Sequence, residues 1–70
     1  MEVEAKRIAR AYDKYKSALT SREKDVLTKY YGIDDQVRHT LAELGRIFQV
    51  TKERIRQIKV IALNKIKINK

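Results

Sequence analysis

Three threonines set the architecture of this chain. Thr20-Ser21-Arg22-Glu23 and Thr40-Leu41-Ala42-Glu43 each place a hydroxyl residue three positions before a glutamate. In that arrangement the threonine oxygen accepts the backbone N–H of the third helical residue while the glutamate reaches back to the cap. Thr51, before Lys52-Glu53-Arg54, marks a further start by the same side-chain chemistry. With no proline and only two glycines in the chain, three written helix starts predict an all-α fold.

Hydrophobic spacing fills in the elements. Ala5, Ile8, Tyr12, Tyr15 and Leu19 recur at three and four residues, the stripe of an amphipathic helix predicted from about Glu2 to Ser17. After the Thr20 cap, Val26 pairs with Tyr30 and Leu27 with Tyr31 one turn apart. Gly32 stands where a left-handed residue ends a helix without steric cost. Ile33 to His39 reads as a charged loop. The third helix runs from the Thr40 cap to about Phe48, Gln49-Val50-Thr51 makes a turn, and the fourth runs from Lys52 to about Ile66. The last four residues are expected to fray. No low-complexity or repeated segment interrupts this order, so residues 1–70 are read as one four-helix domain with a C-terminal helix-turn-helix over about 41–66. Gly45, mid-helix at a cost of about 1 kcal/mol relative to alanine, predicts a close approach of the neighbouring helix. Val50 is placed to plug the angle between the two helices.

Composition narrows the function. Seventy residues hold one modest core, and a deep catalytic cleft does not fit a chain of that size. Seventeen Lys and Arg against nine Asp and Glu give a net charge of +8, which points to a polyanion, nucleic acid before anionic membrane. Without cysteine there is no disulfide, thiolate nucleophile or Cys-based zinc site. No apolar run approaches the roughly 20 residues of a membrane span, and the start lacks the order of a secretory signal. The expectation is a cytoplasmic, non-enzymatic protein with no catalytic residue, metal or cofactor.

Projected at about 100° per residue from Lys52, Ile55, Ile58, Ala62 and Ile66 cluster between roughly 240° and 320°, whereas Lys52, Glu53, Arg56 and Gln57 cover roughly 0° to 140° and Arg54 falls at the rim near 200°. One face is core and the other hydrogen-bonding, at the helix end that enters the major groove in this motif. Lys52 or Arg56 can donate to guanine, Gln57 can pair with adenine, and Glu53 can accept from cytosine N4. A carboxylate on a DNA-facing surface favours base reading over generic adhesion. The plainer alternative, a solvated helix face with intrahelical ion pairs, is open on these residues alone. The four tyrosines are assigned to core, His39 to an exposed loop before the Thr40 cap, and the adjacent Asp34 and Asp35 to turn formation and helix termination.

These words resemble region 4 of the primary bacterial sigma factors, the promoter-recognition subunits of RNA polymerase. The matching runs are Leu19-Thr20-Ser21-Arg22-Glu23, Tyr31-Gly32-Ile33-Asp34-Asp35, His39-Thr40-Leu41-Ala42-Glu43-Leu44-Gly45, and Val50-Thr51-Lys52-Glu53-Arg54-Ile55-Arg56-Gln57-Ile58 followed by Ala62-Leu63. The resemblance covers about Leu19 to Lys67. It implies recognition of the minus-35 promoter element with the fourth helix in the major groove. Lys52, Glu53 and Gln57 would be base readers, with Arg54 and Arg56 as supporting phosphate or base contacts. Thr51 joins them at the cap, and Arg22, Thr40, Leu41 and Glu43 would clamp the DNA backbone at helix starts. Implied partners are promoter DNA, the RNA polymerase core through the flap of its beta subunit, and an anti-sigma factor or activator.

Several positions depart from the family pattern. Lys52 stands where arginine is usual, which keeps the charge and loses the bidentate fork. Gln49 occupies a turn position that is usually small or acidic, Lys59 replaces a glutamate, and Ile61 and Asn64 replace basic residues. The chain ends soon after the fourth helix, which reads as a domain excised from a larger factor. Two other readings remain open: a stand-alone helix-turn-helix regulator, and a protein-interaction bundle whose basic face serves solubility. Ile61 and Ile68 project near 180° and 160°, off the core arc. They are either incidental exposed residues or, with Asn64, part of a docking patch for a regulator or anti-sigma factor.

Overall fold

The computed structural model describes residues 3–33 and 36–68. Among the described residues there are four α-helices: α1 (Val3–Tyr15), α2 (Ser21–Tyr31), α3 (Leu41–Phe48) and α4 (Lys52–Lys65), and a 3-10 turn at Lys16–Ala18 follows α1. No strand occurs among the described residues. The first helix thus ends in a tightened turn rather than continuing to Ser17. Glu2, the expected first residue of that helix, and the Asp34-Asp35 pair lie outside the described residues.

The written helix starts form as their chemistry requires. Thr20 Oγ1 accepts the Glu23 N–H at 3.2 Å and Glu23 accepts the Thr20 N–H at 2.9 Å. The same reciprocal pair joins Thr40 and Glu43 at 3.1 and 2.8 Å. At α4 the Thr51 hydroxyl accepts the Arg54 N–H at 3.0 Å.

The ends close by a shared device, a residue in the left-handed region that turns the chain back so the following N–H caps the helix. Gly32 does this for α2 at φ 66°, and the Ile33 N–H reaches the Thr28 carbonyl at 2.9 Å. Gln49 does it for α3 at φ 59°, with the Val50 N–H on the Gly45 carbonyl at 2.9 Å. Lys67 does it for α4 at φ 68°, where its own N–H bonds the Asn64 carbonyl and the Ile68 N–H bonds the Leu63 carbonyl at 2.9 Å.

That last turn corrects two expectations. Lys67 and Ile68 are held by backbone hydrogen bonds to Asn64 and Leu63, and Ile68 is core, only 6% exposed. A projection at constant angle holds only while the helix lasts, and α4 stops at Lys65. The reversal at Lys67 swings Ile68 back beneath Leu63, its hydrogen-bond partner. Asn69 and Lys70 lie outside the described residues.

Two apolar clusters hold the helices together. One gathers Ile8, Leu19, Leu27, Ala62, Leu63, Ile66 and Ile68, with Tyr12, Tyr15 and Tyr31 packed against it. The other joins Val26, Leu44, Ile55 and Ile58, backed by Tyr30, Leu41, Phe48 and Val50. All four tyrosines therefore serve packing, as assigned. Helix α4 runs through both clusters: Ile55 and Ile58 anchor its first half against α2 and α3, and Ala62, Leu63 and Ile66 its second half against α1 and α2. With that side committed to packing, the opposite side of its first turns is left outward.

Candidate nucleic-acid interface

The α3–turn–α4 unit presents this surface. A Cβ built on Gly45 would lie 2.8 Å from the Val50 carbonyl oxygen and 3.4 Å from the Lys52 nitrogen. The close approach expected at Gly45 is thus made by the backbone of the turn and of the first residue of α4. Val50 is half-buried against the second cluster, which pins the turn. Lys52 follows at once as the first residue of α4.

From there the alternation is sharp. Ile55 is fully buried and Ile58 nearly so, whereas Lys52, Glu53, Arg54, Arg56 and Gln57 are all exposed. Glu53 and Arg56, one turn apart, form a two-point ion pair: Arg56 Nε donates to Glu53 Oε1 at 2.9 Å and Arg56 Nη2 to Oε2 at 2.6 Å. The Arg56 guanidinium, with a lesser contribution from the Gln57 side chain, holds the Glu53 carboxyl below its ordinary range, and Glu53 in turn raises Arg56. Glu53 is therefore ionised at neutral pH and already engaged.

Comparison with known proteins places this surface in a family. A sequence model described as sigma-70, region 4, matches residues 17–67. The chain belongs to the sigma-70 region 4 family. Among similar curated proteins, the RNA polymerase sigma factor SigA of Nostoc sp. is 51% identical over 55 residues, covering 79% of this chain and 14% of that protein. The factor of the same name from Listeria monocytogenes is 53% identical over 49 residues, 70% of this chain and 13% of that protein. That of Lactococcus lactis subsp. cremoris is 46% identical over 55 residues, 79% and 15%. The chain spans between 13% and 15% of the length of these curated relatives. No solved structure gives a significant match.

Within this region 4 domain, the residues singled out from sequence fall into two groups. Lys52, Glu53, Arg54, Arg56 and Gln57 share the first turns of α4 with the Thr51 cap. Arg22, Thr40, Leu41 and Glu43 stand at the starts of α2 and α3. Leu41 is half-buried and packs on the second cluster. Glu43 is committed to its cap. The Arg22 guanidinium lies 4.2 Å from the centroid of the Phe48 ring, a cation–π contact that joins the first turn of α2 to the last turn of α3.

Other features of the region 4 surface were not evident from spacing. His39 is half-buried rather than exposed: its N–H bonds the Lys29 carbonyl at 2.9 Å and its Nδ1 lies 3.3 Å from the same oxygen. The carbonyl only accepts, so this second contact is a hydrogen bond in the tautomer protonated on Nδ1. Lys65 Nζ lies 3.0 Å from Glu23, across 42 residues that carry no local signal. Ile61 is exposed at 45%, as its place off the core arc led one to expect, Val60 beside it is exposed at 42%, and with Arg56 and Gln57 they line a shallow apolar hollow. Among the described residues no helix is long and apolar enough to cross a membrane, and no group of three or more His, Cys, Asp or Glu could hold a metal.

Proposed function

We propose that this chain is a promoter-reading module that binds the minus-35 element by laying the first turns of α4 in the major groove. The observation that carries this reading is the exposed set Lys52, Glu53, Arg54, Arg56 and Gln57 at the N-terminal end of a helix whose other side is locked into the core, in a member of the region 4 family. Lys52 and Gln57 are assigned to base edges, Arg54 to phosphate, and Glu53 and Arg56 to the base-reading face. Thr51 fixes where α4 begins. At α3, the capping pair of Thr40 and Glu43 uses the N–H groups of those two residues and leaves the Leu41 and Ala42 amides at the helix N-terminus, where backbone donors suit a phosphate. Arg22, held over Phe48, extends this clamp.

The curated relatives are named as RNA polymerase sigma factors, and we extend that role to this chain: a non-catalytic part of a bacterial initiation factor, acting in the cytoplasm and docked on the polymerase core at the flap of its beta subunit. A groove of about 350 Å³, lined by Ile8, Tyr30, Tyr31, Arg38, Lys59, Val60, Leu63 and Ile68, is the candidate docking surface. The separate hollow lined by Arg56, Gln57, Val60 and Ile61, to which Ile68 does not contribute, is assigned to an activator or anti-sigma factor.

Selection of bound sequences from a random duplex pool tests this reading. Recovery of a short consensus resembling a minus-35 element supports it, and recovery of no consensus at moderate salt contradicts it.

A further inference from the structure

We propose that Glu53 keeps Arg56 closed in a fork in the free protein, and that an amino group on the base edge of a preferred site takes over Glu53 and so releases Arg56 to a phosphate. This inference rests on the promoter-reading proposal and gives it a mechanism of discrimination. Both carboxylate oxygens of Glu53 accept from Arg56, at 2.9 and 2.6 Å. The pair spans one helical turn, and its side chains are 52% and 59% exposed for Arg56 and Glu53. It lies on the face that the promoter-reading proposal sets in the groove, and an ion pair this exposed is weak enough to exchange partners.

The fork matters because of what each kind of DNA offers it. Closed, the pair has no net charge, so Arg56 neutralises no phosphate. A phosphate backbone alone presents only acceptors, and opening the fork against it would leave the Glu53 carboxylate with only its lesser contact to the Gln57 side chain beside anionic DNA. Cytosine N4 or adenine N6 presents a donor in the major groove. Where such a donor lies opposite Glu53, the carboxylate changes partners at little cost and Arg56 turns to the backbone. The arginine's charge then counts only on sequences that satisfy Glu53. Glu53 is thus a positioning residue for Arg56 as well as a base acceptor, and it converts a sequence match into an extra phosphate contact.

The test measures the salt dependence of binding by the whole 70-residue chain to two duplexes: the sequence recovered by random-pool selection and a scrambled duplex of the same length and composition. Glu53→Gln keeps the side-chain shape and removes the charge that closes the fork. On the scrambled duplex this variant is expected to bind tighter than the parent, with a log–log salt slope steeper by about 0.9, the value of one neutralised phosphate. On the preferred duplex the slope is expected to be unchanged. Placed in an Arg56→Ala background, the same substitution is expected to leave the scrambled-duplex slope unaltered, and both single variants should melt as the parent does. An equal slope change on both duplexes overturns the fork, as does a change that persists without Arg56, because the carboxylate would then act on DNA directly. Absence of any preferred duplex removes the promoter-reading proposal and the fork together, whereas a preferred duplex with no slope effect removes the fork alone.

Discussion

Lys65 Nζ sits 3.0 and 3.1 Å from the two carboxylate oxygens of Glu23, tying the last turn of α4 to the first turn of α2. Glu23 also closes the cap of α2, so one carboxylate serves a local and a long-range contact. Its burial would raise its pKa, but the Thr20 N–H and the Lys65 ammonium outweigh that, and the group is held below its ordinary 4.5. A carboxylate with a depressed folded value stabilises the fold fully above the unfolded value and loses that contribution as pH falls through the folded one. Glu23→Gln is expected to cost about 1–2 kcal/mol at pH 7 and to lose that acid-limb dependence, its stability converging with the parent's as pH falls below the ordinary 4.5 and the folded carboxyl protonates. Urea titrations of both proteins across that range check this; a constant gap down to the lowest pH contradicts it.

Gly45→Ala separates backbone packing from helix propensity. In an open helix the change would stabilise by about 1 kcal/mol. Here the new methyl meets the Val50 carbonyl at 2.8 Å, and overpacking against a fixed turn is expected to cost about 1–3 kcal/mol. A thermal melt that rises instead of falling refutes the tight turn.

Gln49 holds a left-handed conformation at φ 59° that costs a side-chain-bearing residue about 1–2 kcal/mol. Gln49→Gly is expected to stabilise by about 0.5–1 kcal/mol after the glycine's extra chain entropy is counted, with DNA affinity unchanged. A lower melting temperature would show that the Gln49 side chain contributes more than its backbone strain costs.

Ile61 and Ile68, close together in a constant-angle projection, should respond in opposite ways. Ile61→Glu is expected to change stability by no more than about 0.5 kcal/mol. Ile68→Ala, which empties a buried position, should cost about 2 kcal/mol. Equal melting temperatures for the two variants contradict the turn that buries Ile68.

The helix starts, most of the core face of α4 and its exposed polar side were legible because each is encoded within one or two turns: Thr20 with Glu23, Thr40 with Glu43, Ile55 with Ile58, Lys52 with Arg56. What escaped depends on tertiary placement. The reach of Lys65 to Glu23 has no local periodicity, and the burial of Ile68 follows from a left-handed lysine, a residue type that does not announce a turn. His39 looked exposed because its partner, the Lys29 carbonyl, belongs to the end of another helix. The Glu53–Arg56 pair has a readable three-residue spacing, but the two-point geometry that engages both oxygens shows only in the fold.

Binding of the Gln57→Ala variant to the selected duplex and to its scrambled counterpart, at one fixed salt concentration, tests most directly whether α4 reads bases. Gln57 is exposed on the polar side of α4, and its loss leaves the charge of the protein unchanged. The expected result is a penalty of about 1–3 kcal/mol on the selected duplex, with specificity relaxed at one base pair, and no more than about 0.5 kcal/mol on the scrambled one. Equal losses on the two duplexes would contradict base reading by α4 and reduce Gln57 to a contact with the DNA backbone.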